Sequence, residues 1–162
     1  MSSLRKKKNQ SGFTLIELLI VVIIVAVLAA VGIPLLQGNV ARARLTEADA
    51  GLGTIRTGMR SYYAEHASYQ NGTTAPTFTS IGITDPTGTG TTRTPGDLDG
   101  RFFSTEVYSV STTDNTHFCG SVDGTNTGNV AAKKADVSTV NRSMNQDGDI
   151  FNSKDCSGTR IN

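Results

Sequence analysis

The sequence predicts an α+β protein, in which a long N-terminal α-helix with a membrane-spanning half and an amphipathic half packs on an antiparallel β-sheet. Three observations predict it: an apolar run over residues 13–36, an apolar stripe at helical spacing over residues 37–66, and short alternating segments within the Thr- and Gly-rich residues 67–162. The 162 residues suffice for one ordinary domain with a core. The net charge of +1 argues against a nucleic-acid binder, which needs a clustered excess of Lys and Arg.

The N-terminal charges suit a membrane-targeted segment. Four basic residues occupy positions 5–8, and no acidic residue precedes Glu17; this asymmetry is typical of the cytoplasmic end of a membrane helix. Residues 18–36 carry no charge, and a helix of this length spans about 28 Å, close to the thickness of a bilayer core. A small-residue cleavage site is imitated at 29–31, but the apolar run continues beyond it and no polar break follows.

Residues Gly12-Phe-Thr-Leu-Ile-Glu17 resemble the class III signal of bacterial type IV pilins and of the related type II secretion pseudopilins. In that signal a short basic leader ends in Gly, Phe follows, and Glu stands four residues after the Phe. The resemblance implies a pilin-like fold, a cleaved leader at 1–12, cutting between Gly12 and Phe13 by a prepilin peptidase, and N-methylation of Phe13. Loss of the leader would leave 15 − 4 = 11 basic against 14 acidic side chains, a net charge of −3.

Glu17 is an acidic residue within the apolar run. An ionisable group in a membrane segment is costly, and is therefore a functional-site hypothesis by default. The simpler alternative is that Glu17 lies near the headgroups and its carboxylate reaches them. We expect instead that Glu17 and the new α-amino group of Phe13 compensate each other between neighbouring subunits of a filament, because opposite charges in a low-dielectric core need one another.

The amphipathic half of the helix carries an apolar stripe with spacings of three and four residues, and its members are Leu45, Ala48, Leu52, Ile55, Met59 and Tyr62. We expect this stripe to pack on the sheet of the same subunit, within one long helix from about Phe13 to His66. Pro34 removes an intrahelical donor and clashes with the preceding turn, so Gly32 and Pro34 predict an interruption and a kink, with further softening near Gly38.

The sheet is expected late in the chain. Residues 102–112 and 117–123 alternate between apolar and polar residues, with a turn at Asp114-Asn115, and together they predict a hairpin. Its Tyr108 and Val110 face should pack on the helix. Residues 129–132 and 136–140 are the least certain strands. The Thr-rich stretch from position 73 to 94 predicts a long exposed connection.

Cys119 and Cys156 are the two cysteines, and both lie in the part expected to be exported. An even count in an oxidising compartment favours a disulfide, which would constrain the unfolded chain by roughly 4 kcal/mol. The resemblance agrees, since many pilins have a disulfide-bounded region near the C-terminus. The spacing and the scarcity of His argue against a redox or zinc site.

Two acidic pairs are weaker candidates. Asp147 and Asp149 resemble part of a calcium loop, and some major pseudopilins bind calcium in a C-terminal loop, but no Glu follows at the distance that an EF-hand requires. A tight turn is the simpler explanation, and we expect no cofactor. Asp97 and Asp99 also favour a turn over a catalytic dyad.

The leading function is that of a structural subunit of an extracellular type IV pilus filament. The partners implied are further copies of the chain in a helical filament, prepilin peptidase, the inner-membrane assembly machinery, and the membrane before assembly. The precursor would lie in the inner membrane. The alternative is a major pseudopilin of a type II secretion system, which would act in the periplasm. A third alternative is a membrane-tethered enzyme or binding domain that does not polymerise, although neither His66 nor His117 has a neighbouring arrangement that suggests a nucleophile.

Overall fold

The computed structural model describes residues 12–88, 92–124 and 140–161. The chain divides into two compact units, Met1–Val40 and Ala41–Asn162. The long helix is confirmed as α1, Leu15–His66. The expected interruption is wrong, because α1 runs through Pro34: proline removes one hydrogen bond, and the neighbouring turns keep theirs. The kink stays a prediction.

In the first unit, the apolar side chains of α1 point to solvent. Leu15 is 82% exposed, Leu19 52% and Leu28 67%. Within the part of the chain that the structure describes, α1 is the helix long and apolar enough to cross a membrane. An apolar surface of this extent needs a covering, which the described residues of this unit do not provide.

The second unit contains a four-stranded antiparallel sheet with the strand order β1-β2-β3-β4. The strands are β1 Tyr108–Asp114, β2 His117–Asp123, β3 Asn141–Asn145 and β4 Ile150–Phe151. The predicted hairpin is therefore confirmed as β1 and β2, which pair Tyr108 with Val122.

The remaining strand predictions are wrong in part or fall outside the described residues. The first part of the predicted strand 102–112 is instead a loop with a 3₁₀ turn at Thr105–Val107. The predicted strand 129–132 lies outside the described residues, as does 136–140 except for its last residue. Neither β3 nor β4 was predicted.

The predicted apolar stripe forms the helix side of the core. Five of its members are buried, namely Ala48, Leu52, Ile55, Met59 and Tyr62, whereas Leu45 remains 36% exposed. On the sheet side Tyr108 is buried and Val110 is partly buried against the same core, as the alternation predicted. The stripe therefore packs on the sheet of its own unit, as expected.

Two glycines allow this close packing. A Cβ at Gly51 would lie 2.5 Å from the Tyr108 hydroxyl, and a Cβ at Gly58 would lie 2.5 Å from the carbonyl oxygen of Ile81. Glycine costs helix stability at both sites, but it lets Tyr108 and the Ile81 loop reach the helix backbone. One ion pair crosses the same interface: Arg142 Nη2 lies 3.3 Å from Asp49 Oδ2. Burial raises the pKa of Asp49, and the charge of Arg142 opposes that rise.

The C-terminal segment lies against the opposite face of the sheet. The expected disulfide between Cys119 and Cys156 is present. Ser143 Oγ accepts a 2.9 Å hydrogen bond from the backbone N–H of Cys156, and Lys154 Nζ lies 2.7 Å from Asp123 Oδ2. Polar bonds and one covalent bond, rather than an apolar layer, hold this segment on the sheet.

Asp99 organises the connection before the sheet. Its carboxylate accepts hydrogen bonds from the backbone N–H groups of Gly96 at 2.6 Å and Thr105 at 3.1 Å, and from Arg93 Nη2 at 3.0 Å. Burial alone would raise the pKa of Asp99, but the Arg93 guanidinium and the two N–H groups hold that pKa below its usual value. Asp97 accepts a 2.7 Å bond from the N–H of Thr84. Both carboxylates therefore fix turns, as expected.

Candidate functional site: the start of the N-terminal helix

The residues that the sequence marks for cleavage precede the helix directly. Gly12 and Phe13 are both outside α1 and exposed, and 84% of the Phe13 surface is accessible. A Cβ at Gly12 would have nothing within 4 Å. The fold of the described residues therefore does not require glycine here.

Thr14 and Glu17 form a capping box at the start of α1. The backbone N–H and the hydroxyl of Thr14 each donate to Glu17 Oε2 at 2.8 Å, and the backbone N–H of Glu17 lies 3.3 Å from Thr14 Oγ1. This reciprocal arrangement satisfies backbone donors that a helix start would otherwise leave without partners. A negative charge in the first helical turn also suits the helix dipole.

The capping box was not foreseen, although its signal stood in the sequence as Thr14-x-x-Glu17 before an apolar run. Glu17 thus has a function within its own chain as well as the one expected between chains. Both hydrogen bonds from Thr14 go to Oε2, and Oε1 takes part in neither. The surface around the carboxylate is apolar and is formed by Phe13, Leu18, Ile20 and Val21.

The weak calcium candidates Asp147 and Asp149 lie in the turn between β3 and β4. Asn145 Oδ1 accepts the backbone N–H groups of Asp147 at 3.1 Å and Asp149 at 2.9 Å, and Gly148 has a φ of 92°, which favours glycine. The sequence Asp147-Gly-Asp149 thus forms the tight turn that was predicted.

Two arginines of α1 approach the same turn. Arg56 Nη2 donates to the Asp147 carbonyl at 3.0 Å, and Arg60 Nη2 donates to the Gln146 carbonyl at 3.1 Å. Backbone oxygens that a bound cation would use are therefore directed at guanidinium groups. Among the residues that the structure describes, no group of three His, Cys, Asp or Glu side chains is placed to hold a metal ion.

A hydroxyl, an imidazole and a carboxylate meet at the β1–β2 turn, a grouping that was not predicted from the sequence. His117 Nδ1 lies 2.9 Å from both Thr116 Oγ1 and Asp114 Oδ1. Hydrogen bonds from the Thr116 hydroxyl and N–H, followed by the one from His117, lower the pKa of Asp114. Because both contacts use the same ring nitrogen, the imidazole cannot relay a proton from the hydroxyl to the carboxylate. The other histidine, His66, stacks on Tyr62 with ring centroids 4.0 Å apart.

Comparison with known proteins agrees with the motif at the helix start. Residues 7–33 match the family model described as the prokaryotic N-terminal methylation motif. The chain is 36% identical over 93 residues to a type IV major pilin protein, PilE1, of Neisseria gonorrhoeae. The aligned residues make up 57% of this chain and 48% of the relative.

Two further relatives are fimbrial proteins. One, from Neisseria meningitidis serogroup B, is 43% identical over 75 residues, 46% of this chain and 44% of the relative. The other, from Pseudomonas aeruginosa, is 40% identical over 81 residues, 49% of this chain and 53% of the relative. The chain thus spans about half the length of these curated relatives, and no solved structure matches it. In its N-terminal motif, in its long apolar helix packed on an antiparallel sheet, and in these stretches of sequence, the chain is similar to type IV pilins.

Proposed function

We propose that this chain is a structural subunit of an extracellular type IV pilus filament. One observation carries the proposal: a helix with an exposed apolar surface begins at a processing motif, and none of the described residues of its own unit covers that surface. A bilayer can cover it before assembly, and the same helices of neighbouring copies can cover it afterwards. The names of the relatives, which are pilin and fimbrial proteins, favour a pilus over the secretion alternative.

Processing would precede assembly. Prepilin peptidase would cut the exposed bond between Gly12 and Phe13 on the cytoplasmic side, and N-methylation of Phe13 would follow. The inner-membrane assembly machinery would then move the helix from the bilayer into the filament, with the second unit outside. The chain would thus act as a building block without an enzymatic activity.

Glu17 would guide the incoming subunit. Thr14 engages Oε2 within the chain, and Oε1 would take the α-amino group of Phe13 from a neighbouring copy. In the apolar surroundings formed by helix side chains, an unpaired carboxylate is costly, so a subunit placed out of register would be unstable.

The capping box makes it possible to test this role cleanly. Glu17→Gln keeps a side chain that can cap the helix start, since Gln serves as well as Glu in a capping box, but it removes the charge. Glu17→Ala removes both, and Thr14→Val removes the hydroxyl and retains the charge. We expect all three variants to insert into the membrane, both Glu17 variants to form no filaments by electron microscopy, and Thr14→Val to retain them. Normal filaments from Glu17→Gln would show that the charge is not needed for assembly.

Mass spectrometry of the native protein separates the proposal from a membrane-tethered protein that does not polymerise. The proposal expects a chain that begins at methylated Phe13, and Gly12→Val should block the cut. An intact N-terminus beginning at Met1 in cells that assemble pili would contradict the proposed processing. Immunolabelling of surface filaments with an antibody against the second unit would distinguish a pilus from a periplasmic pseudopilus.

A further inference from the structure

The turn that follows α1 contains the dipeptide Asn71-Gly72, which occurs once in the sequence. The backbone N–H of Asn71 donates to the Thr74 carbonyl at 2.9 Å, and the backbone N–H of Thr74 donates to the Asn71 carbonyl at 3.4 Å. Gly72, the first of the two central residues, has a φ of 72°, a conformation that favours glycine. The dipeptide therefore belongs to a formed turn rather than to an irregular stretch.

Asn71 and Gly72 are both exposed, and their reactive groups are not held in place. Within the part of the chain that the structure describes, no hydrogen bond engages the Asn71 carboxamide or the Gly72 N–H. A Cβ at Gly72 would have nothing within 4 Å, so no described side chain covers the backbone here. The carboxamide of Asn145, in contrast, accepts two backbone N–H groups through Oδ1. The side chain of Asn71 is therefore free to turn toward the next residue.

We propose that Asn71 is a site of spontaneous modification, at which its carboxamide is lost as ammonia. Asparagine is among the thermolabile residues of proteins. The Gly72 nitrogen loses its proton to a solvent base and forms a bond to Asn71 Cγ, the bond from Cγ to Nδ2 breaks, and the leaving nitrogen takes a proton from water. The resulting five-membered imide then adds water at one of its two carbonyl carbons, which opens the ring to aspartate or to isoaspartate. The reaction consumes one water molecule and needs no other reactant.

Glycine makes this reaction possible in the folded chain. Gly72 has no side chain to block the approach of Asn71 Cγ to its nitrogen, and its wide range of φ and ψ angles lets the turn rearrange. The approach requires rotation about the Cα–C bond of Asn71. That rotation separates the Asn71 carbonyl from the N–H and the hydroxyl of Thr74, which donate to it at 3.4 and 3.2 Å. These long hydrogen bonds lie in an exposed turn, where local opening costs little free energy.

The modified turn differs from the original in charge and in length. Each modified chain gains one negative charge at residue 71, and isoaspartate adds one methylene group to the backbone before Gly72. Tyr69, two residues earlier, is buried and packs on Phe118 with ring centroids 4.9 Å apart, so the core beside the turn limits how far the change spreads. Older chains therefore carry an altered surface turn on an otherwise unchanged second unit. This inference depends neither on membrane insertion nor on filament assembly.

Mass spectrometry of the full chain tests the proposal. The chain, with its disulfide oxidised, is kept in mild detergent at neutral pH in water enriched in ¹⁸O, which enters each new carboxylate. A parallel sample is reduced and unfolded in urea. Both are digested at intervals by a protease that is active in acid, where the imide forms slowly, and electron-transfer fragmentation distinguishes isoaspartate from aspartate. Asn71→Gln retains a carboxamide but would need a larger ring. The matched control is Asn152→Gln, at an exposed asparagine that precedes Ser153.

We expect ¹⁸O at residue 71 of the folded chain, with more isoaspartate than aspartate, at no less than about a tenth of the rate in the unfolded chain, because an exposed turn opens readily. Asn71→Gln should lose this label, and Asn152→Gln should retain it at the wild-type rate. The near-UV circular dichroism of the tyrosines shows that the folded samples stay folded. A folded rate below that fraction would overturn the proposal, since the turn would then protect Asn71. So would label in aspartate alone, which would indicate direct hydrolysis of the amide without an imide.

Discussion

Two alanine substitutions on the same helix should have opposite effects on stability. Gly58 faces the loop that contains Ile81, and a Cβ there would lie 2.5 Å from the Ile81 carbonyl oxygen and 3.3 Å from Ile81 Cβ. At Gly53, five residues earlier, a Cβ would have nothing within 4 Å. Both glycines lie within α1 and carry the same propensity cost, so they differ mainly in the space around them.

The magnitudes follow from this difference. Replacing glycine by alanine in a helix gains about 1 kcal/mol at either site, and we expect Gly53→Ala to be more stable by about that amount. At Gly58 the new methyl group meets a backbone carbonyl, which cannot rotate away as a side chain can, and overpacking of this kind costs about 1–3 kcal/mol. The two variants should therefore differ by about 1–3 kcal/mol in their free energy of unfolding.

Urea unfolding of the full chain in mild detergent, with the disulfide oxidised, measures this difference. All four tyrosines belong to the second unit, so their near-UV circular dichroism reports its tertiary packing while the detergent keeps the apolar helix folded. Equal urea dependence in the two variants would show that they unfold through the same transition. If Gly58→Ala stabilises the chain as much as Gly53→Ala does, then close contact with Ile81 is not the reason for glycine at that position.

Three further predictions can be checked by the same unfolding assay. Folding lowers the pKa of Asp99. The Asp99 carboxylate therefore stabilises the fold fully above pH 3.8, its ordinary pKa, and this stabilisation is lost as the pH falls through the lowered pKa. Asp99→Asn should therefore lose less stability than the wild type as the pH falls below 3.8. Glu47→Ala should lower the free energy of unfolding by about 2 kcal/mol, because it leaves the backbone N–H groups of Arg101, Phe102 and Phe103 without their charged acceptor, whereas a change within about 0.5 kcal/mol would mean that water replaces it. Cys119→Ser/Cys156→Ser should cost roughly 4 kcal/mol, and a second unit as stable in this variant as in the wild type would contradict the constraint assigned to the bridge.

Periodic features were predictable from the sequence because burial enforces them. The apolar stripe had to alternate by three and four to face one surface, and Tyr108 and Val110 had to alternate by two. The strand β3 gave no such signal. Arg142 on its helix-facing side pairs with Asp49, and Ser143 on the other side bonds the C-terminal segment, so neither face of β3 reads as apolar.

Contacts between distant segments were not predictable. Nothing local marks Glu47 as the acceptor for a loop more than fifty residues away, so Phe102 and Phe103 were expected to start a strand. The sequence shows that Gly51 and Gly58 lower helix stability, but not why they are there, because the side chain of Tyr108 and the backbone of Ile81 that need the space lie far away in the sequence. The processing motif was fully visible in the sequence, and so, in hindsight, was the capping box that lies within it.

The capping box fixes more than the first turn of the helix. Because Thr14 is held as the residue before α1, the bond between Gly12 and Phe13 always lies at the same short distance outside the helix, where its carbonyl is not committed to a helical hydrogen bond. Under the proposed processing, a peptidase at the membrane surface would therefore meet this bond at a constant distance from the first helical turn. Every subunit cut there would then begin the same short distance before its helix.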